Sequence, residues 1–320
     1  MSATPGTWVL AGPGDTLPAL RPLVRAHERL RPVRVIELES PTATVSAEQL
    51  VDADGLLLVG DRRRAPSTVL PGPFLRDASG RAVPAGWVPD VGLERFAAAA
   101  ARVLQRGDGV PGPLALLGQW NERYRRLAGR MEANLERAAG SPFPVLRWTS
   151  ERIVRDDLVR ALRLGLGVGI YVGHGRPSGW AGYHGLRAAH LMAVKGEPLG
   201  ALLSVTCLTA NRRRVGLSFS EEVVVGGVTA CAVGAVAPVS HLENMRWMLG
   251  LAAAMRAGEL RLGAALLAAA PPGGPARSAY RILGDPLAPL VGTLEGARRA
   301  ARVRAPAADE DLSPRQLVPA

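Results

Sequence analysis

Cysteine is almost missing from this chain: among 320 residues there are only Cys207 and Cys231. Two thiols cannot staple a secreted disulfide scaffold, so the fold must rest on a buried core. Lysine is scarcer still, with Lys195 the single one among 39 basic residues. The formal net charge of +11 invites a nucleic-acid reading, because clustered basic side chains neutralise phosphates. The arginines, however, are dispersed apart from Arg62-Arg63-Arg64 and Arg212-Arg213-Arg214. Abundant Ala, Gly, Pro and Arg have the look of a GC-rich coding bias. The basic residues therefore read as incidental or solvated surface, and no nucleic-acid partner is expected.

No apolar run reaches the ~18 residues needed to span a membrane; the alanine-rich run 264–270 is too short. Residues 1–8 hold neither a basic segment nor an apolar stretch before a cleavage site, and 8–10 already read as a strand. A cytoplasmic protein without membrane contact is expected. The turn Ala11-Gly12-Pro13-Gly14-Asp15 lacks the third glycine and the Lys-Ser/Thr of a phosphate cradle. His174, His184 and His190 follow no compact zinc-ligand spacing. The expectation is no metal and no cofactor.

What is present is apolar substance: 48% of the residues are hydrophobic, enough to bury a sizeable core. Residues 8–11, 32–39 and 55–59 read as strands, with a helix over 17–30 between the first two. This βαβ rhythm implies a parallel sheet with helices on its faces. Residues 61–86 read as a loop. Beyond it the spacing predicts helices over 93–105 and 121–139, strands over 114–117 and 143–148, and a helix from Thr149 or Ser150 to 164. After residue 210 come a helix over 218–225, a strand over 228–235, helices over 242–257 and 262–269, and a short strand at 280–283. Both halves read as α/β, so we expect two side-by-side subdomains, 1–140 and 141–292, and a mobile tail over 293–320. His27 and His241 read as surface or capping residues, and Cys231 as core.

Two apolar runs stand out. Val168-Gly169-Ile170-Tyr171-Val172 stops at Gly173-His174-Gly175, and Ala201-Leu202-Leu203-Ser204-Val205-Thr206 stops at Cys207. Short runs rich in Val, Ile and Leu read as strands of a buried parallel sheet. Ligands bind beyond the carboxyl ends of such strands, and neighbouring strands lie about 4.8 Å apart. An imidazole and a thiol at adjacent strand ends could therefore serve one substrate carbonyl as base and nucleophile.

These segments resemble the catalytic core of caspase-like cysteine peptidases, and in detail the gingipain family, peptidase family C25. The resemblance is carried by Gly-Ile-Tyr-Val-Gly-His-Gly with Ser178-Gly179-Trp180, by Ser204-Val205-Thr206-Cys207-Leu208-Thr209-Ala210, and by Leu283-Gly284-Asp285-Pro286. Leu57-Leu58-Val59-Gly60-Asp61 and Val88-Pro89-Asp90-Val91 with Arg95 resemble the amino-terminal half. It runs from about residue 55 to 290. The resemblance implies an α/β caspase-like three-layer fold with a mostly parallel sheet.

It also implies a cysteine endopeptidase in which Cys207 attacks a peptide carbonyl and His174 protonates the leaving amine. The N–H groups of Gly175 and Cys207 would bind the oxyanion, and Asp90 would orient His174. One departure stands beside Asp90, where the family's Gly-Arg reads Glu94-Arg95. Trp180 is expected to wall a specificity pocket, and Asp90 or Asp61 to favour Arg or Lys before the cut. Arg212-Arg213-Arg214 would instead suit an acidic side chain. A protein substrate, and control by processing or by a protein activator or inhibitor, are expected, with bacterial defence or signalling as a setting. The alternative is a catalytically silent caspase-like scaffold that binds protein or nucleic acid.

Overall fold

A computed structural model describes residues 6–40, 42–106, 110–136, 144–269 and 276–303. The first half supplies strands β1 (Thr7–Pro13), β2 (Val33–Leu38), β3 (Ala53–Gly60), β4 (Phe74–Arg76) and β5 (Ala82–Pro89). The second supplies β6 (Leu114–Gly118), β7 (Val145–Arg147), β8 (Val168–Val172), β9 (Leu199–Val205), β10 (Thr229–Ala235) and β11 (Tyr280–Gly284). They form one sheet in the order β2-β1-β3-β5-β11-β10-β9-β8-β6-β7, with β4 antiparallel beside β5. Every residue of β6, β8, β9, β10 and β11 is buried. Since successive side chains point to opposite faces, both faces are covered, as expected of parallel strands.

Helices α1 (Arg21–Glu28), α2 (Leu93–Leu104), α3 (Glu122–Glu136), α4 (Arg155–Leu162), α5 (Phe219–Val225), α6 (His241–Arg256), α7 (Leu262–Ala269) and α8 (Leu294–Arg302) complete the fold. Two of them start on a Ser-x-x-Glu capping box that satisfies N–H groups of the first turn. Ser218 pairs with Glu221 before α5, and Ser240 with Glu243 before α6. No helix among the described residues is long and apolar enough to cross a membrane.

The sheet has one seam. β5 and β11 run parallel, but β11 meets β10 antiparallel, Cys231 opposite Gly284 and Ala235 opposite Tyr280. All strands of the parallel set on the β5 side thus point one way, and those from β10 to β7 the other. The Gly-Asp-Pro segment closes this seam. Gly284 has φ +88°, and a Cβ there would lie 2.4 Å from the carbonyl oxygen of Ala230, so only glycine fits. The fully buried Asp285 accepts hydrogen bonds from Trp8 Nε1 (3.2 Å) and the Leu287 N–H (3.0 Å), and pairs with His27 Nε2 at 2.9 Å. Trp8 stacks on the His27 ring at 3.9 Å. The aspartate therefore ties the amino-terminal strands and α1 to the carboxyl-terminal half.

Several expectations are corrected. His27 is buried in this lock and not on the surface. The loop expected over 61–86 contains β4 and most of β5, a central strand. Its prolines disguise it, because proline cannot donate to a ladder. Pro84 is accommodated because pairing to β3 starts only at Ala85, and Pro89 sits at the strand's end. The helix expected from Thr149 starts at Arg155, and Ser150, Ile153 and Val154 before it border a hollow at the rim of the sheet. The expected tail from 293 opens with α8, capped by the Thr293 side chain. The subdomain boundary expected at 140 lies outside the described residues.

Burial by itself would raise the Asp285 carboxyl, but the charge and hydrogen bond of His27, the Leu287 N–H and the Arg31 charge hold it below the usual carboxylate range. A carboxyl lowered by folding stabilises above its unfolded pKa of about 3.9, and that stabilisation is lost as pH falls through the lower folded value. Asp285→Asn should cost about 3 kcal/mol at pH 7, since it removes the charge of a fully buried carboxylate that His27, Trp8 and the Leu287 N–H are built around. Urea unfolding at pH 7 and below pH 4 checks this: the gap between wild type and variant should narrow in acid.

Candidate active site

The carboxyl ends of β9, β8 and β6 lie side by side at one rim. β8 and β9 are parallel, and their last pair is Val172 opposite Val205, so each chain leaves the ladder two residues before His174 and Cys207. Thr206 Oγ1 donates to the Gly173 carbonyl at 2.7 Å, locking the two strand ends together. Gly175 comes next, and a Cβ there would fall 2.4 Å from the Cys207 carbonyl oxygen, so a side chain would push the two segments apart. Leu208, directly after the cysteine, has φ +64°, a left-handed conformation that a bulky side chain adopts only under constraint. Such strain collects at functional sites, where the surroundings over-determine it.

Cys207 is partly exposed, whereas Cys231 is fully buried in β10. Burial, and then the nearby Asp285 charge, push the Cys231 thiol well above its ordinary value, which suits core and not a nucleophile. The Cys207 sulfur rests against the loop after β10, accepting from the Val239 N–H at 3.3 Å. The thiol also faces the Val239 carbonyl, to which its S–H can donate at 3.6 Å. Asn244 of α6 supports the end of β9, its amide reaching the Val205 carbonyl at 3.5 Å while Tyr280 Oη donates to its oxygen at 2.7 Å.

His174 is pinned through its backbone from three sides. Its N–H donates to Gln119 Oε1 (2.8 Å), and its carbonyl accepts from the Ala181 N–H (2.9 Å) and from Tyr171 Oη (3.2 Å). The exposed ring meets Tyr124 of α3, whose Oη lies 3.3 Å from Nε2 with the rings edge to face. Tyr124 also packs edge-on against His241. Burial raises the Tyr124 phenol; Arg123 opposes this and Cys207 adds to it. The phenol is therefore protonated near neutrality. It can donate to a neutral imidazole or accept from an imidazolium.

Trp180 lies behind the site: the residue is 2% exposed, its ring stacks on Tyr171 at 4.3 Å and its Nε1–H donates to Ser204 Oγ at 2.8 Å. It thereby stiffens the Tyr171 hydroxyl that holds His174, and the residue also borders a hollow of about 200 Å³ with Arg176 and Arg187.

Asp90 and Asp61 are not brought to this rim. They come after β5 and β3, whose direction the seam reverses, so their strand ends lie level with the amino ends of β10 and β9. Asp90 there accepts from the Arg62 N–H at 2.9 Å, and Asp61 from the Arg63 N–H at 2.8 Å. Among the described residues no hydrogen bond joins either carboxylate to His174 or Cys207. Arg212 is likewise engaged, forking onto the buried Glu221 with Nε 3.1 and 2.9 Å from its oxygens and reaching the Arg62 carbonyl.

Sequence reasoning did not single out Gln119, Tyr124 or Asn244 and gave His241 no place at the site. Gln119 was within reach, since the run 114–117 reads as a strand and the residues just past the end of a parallel strand share the rim with those of its neighbours. Tyr124 carried no such signal, because its place depends on how α3 crosses the sheet.

The arrangement matches known proteins. A sequence profile of peptidase family C25 matches residues 131–291, half of the chain. No curated protein matches it. Among solved structures, the Arg-specific cysteine proteinase gingipain R superposes with a TM-score of 0.68 at 14% identity, over 90% of this chain and 79% of that one. The complex of Porphyromonas gingivalis RgpB pro- and mature domains gives 0.66 at 15% identity, over 89% and 80%. The Saccharomyces cerevisiae separase–securin complex gives 0.51 at 14% identity, over 73% of this chain and 15% of that one. At these identities the likeness shows the fold, which is α/β and caspase-like with a mostly parallel sheet. With the seam, the rim and the profile in agreement, the chain belongs to peptidase family C25, a family of cysteine endopeptidases.

Proposed function

We propose that this peptidase cuts protein substrates through Cys207 and His174. The single observation behind these roles is that β8 and β9 end side by side at one rim, with Val172 opposite Val205 and Thr206 bonded to the Gly173 carbonyl, two residues or fewer from His174 and Cys207. The Cys207 sulfur gives its proton to His174 and attacks the peptide carbonyl carbon, and the carbonyl becomes an oxyanion beside the Gly175 segment. Collapse of that intermediate breaks the C–N bond as His174 passes this proton to the amine; His174 then takes a proton from water as the water oxygen attacks the thioester carbon, and returns it to the Cys207 sulfur as the C–S bond breaks and the acid leaves. Tyr124 takes the place beside His174 that was expected for Asp90. Its phenol holds the ring by a hydrogen bond that serves either protonation state, without the full charge of a carboxylate.

The preference for Arg or Lys before the cut rested on Asp90 or Asp61, and with both at the other rim it loses its support. A cytoplasmic setting draws support from two cysteines that are both free, one buried and one at the rim. Control by a protein partner draws support from the neighbouring structures, which include a pro-domain complex and a securin complex.

Intact-mass analysis after brief iodoacetamide treatment of the folded protein should show one adduct, at Cys207, because Cys231 is sealed in β10. Two adducts, or one that persists in Cys207→Ala, would refute this assignment. Against a peptide library, Cys207→Ala should lose cleavage by about a thousandfold or more; cleavage that survives favours another nucleophile. Tyr124→Phe removes a hydrogen bond worth about 1 kcal/mol, which is about fivefold in kcat. Its KM and melting temperature should stay near wild type, and a change confined to KM would contradict the positioning role.

A further inference from the structure

Across the rim the strand ends run in the order β9, β8, β6, β7, which sets Cys207, then His174, then Gln119 and Trp120, then Thr149 and Ser150. In a cysteine peptidase the acyl half of the substrate stays on sulfur and the amine half departs toward the group that protonates it. If Cys207 and His174 have the roles proposed for them, the residue just after the scissile bond must therefore lie on the far side of His174 from Cys207. A hollow of about 230 Å³ is found there, bordered by Gln119, Trp120, Val154, Tyr183, His184 and an Arg155 whose charge is paired with Asp156. That volume equals roughly eight waters, room for one large side chain and less than a drug-sized ligand needs.

We infer that this hollow is the pocket for the side chain immediately after the cut, and that it takes an apolar or aromatic residue. Trp120 and Val154 at its border are 65% and 64% exposed, large apolar surfaces left in water beside a proposed base. Ile153 and Tyr183 are buried behind them. The wall is also strained: Tyr183 and His184, neither of them glycine, have φ +55° and +56°. Tyr183 is held there because its Oη accepts the Gly118 N–H at 2.9 Å and donates to the Trp148 carbonyl. Strain of this kind, costing about 1–3 kcal/mol per residue, persists where the surroundings impose it and gathers at ligand clamps. Gln119 and Ala181, both bordering the hollow, make two of the hydrogen bonds that hold the His174 backbone. An occupant therefore presses on the same residues that place the base.

Two measurements test the pocket. The first needs no catalysis: calorimetric binding of the dipeptide amides phenylalanyl-glycinamide and glycyl-glycinamide to the Cys207→Ala protein. The phenylalanyl compound should bind at least tenfold tighter, and Trp120→Ala in that background should remove the difference. Equal binding, no detectable binding of either, or a difference that survives Trp120→Ala overturns the inference. The second is sequencing of new amino termini in a denatured proteome. Wild type should show apolar residues enriched at least fivefold after the cut, and Trp120→Ala should reduce this below twofold with the preference before the cut unchanged. A flat profile after the cut, or one that Trp120→Ala leaves intact, overturns the pocket while leaving the peptidase assignment standing. Cuts that persist in Cys207→Ala overturn the catalytic roles, and the binding result then decides the pocket separately.

Discussion

Where β11 lies antiparallel to β10, the sheet reverses direction, and most of the molecule's organisation stems from that one pairing. Each half alone is an ordinary parallel α/β layer with its ligand-binding crevice beyond the carboxyl ends of its strands. Joined antiparallel, the two crevices fall at opposite rims. The second half keeps His174 and Cys207 at its own rim; the first half delivers Asp61 and Asp90 to the other. The seam is closed by Gly284, which alone fits between β11 and the Ala230 carbonyl, and by Asp285, which gathers Trp8 and His27 from the first half. The Gly-Asp-Pro segment thus serves architecture and takes no part at the rim.

Chemistry at the rim depends on backbone more than on side-chain pairs. His174 is held by hydrogen bonds at both its N–H and its carbonyl, and Cys207 by the register of β9, the strained Leu208 behind it and the close approach of Gly175. These constraints fix where the two side chains leave the chain before any rotamer is chosen, which is how a site is held within the tolerance that catalysis needs. The supporting shell is aromatic: Tyr171 and Trp180 stack behind His174, and Tyr124 meets its ring from α3.

The arginine content, which as composition hinted at a polyanion partner, has a structural use. Arg163 donates to the carbonyls of Val194, Gly196, Gly227 and Val228, and Arg106 to those of Pro198 and Val291. Burial lowers Arg106 to about 10, still charged at neutral pH. Arg212 pairs with Glu221 inside the molecule and joins the loops that carry the two arginine triplets. A planar guanidinium with five donors can satisfy several loop carbonyls at once in a fixed geometry, which lysine cannot.

Much was legible in residue order. The runs ending at His174 and Cys207 announced buried parallel strands, because only strands covered on both faces tolerate such unbroken apolar character, and their adjacency could be anticipated from their spacing. The Ser-x-x-Glu boxes before α5 and α6 carried their own start signals. Strand β5 was hidden by its prolines, and His27 passed for a surface residue because nothing local shows that Asp285 meets it. Local chemistry thus dictated which segments become strands, which end in reactive groups and where helices begin, since those depend on near neighbours in the chain. Folding alone decided which rim each strand end reaches, that Tyr124 and not Asp90 stands beside His174, and that Trp120 and Val154 border one hollow. Strand direction and helix crossing arise from pairing between segments far apart in the chain, and no stretch of residues encodes its distant partner.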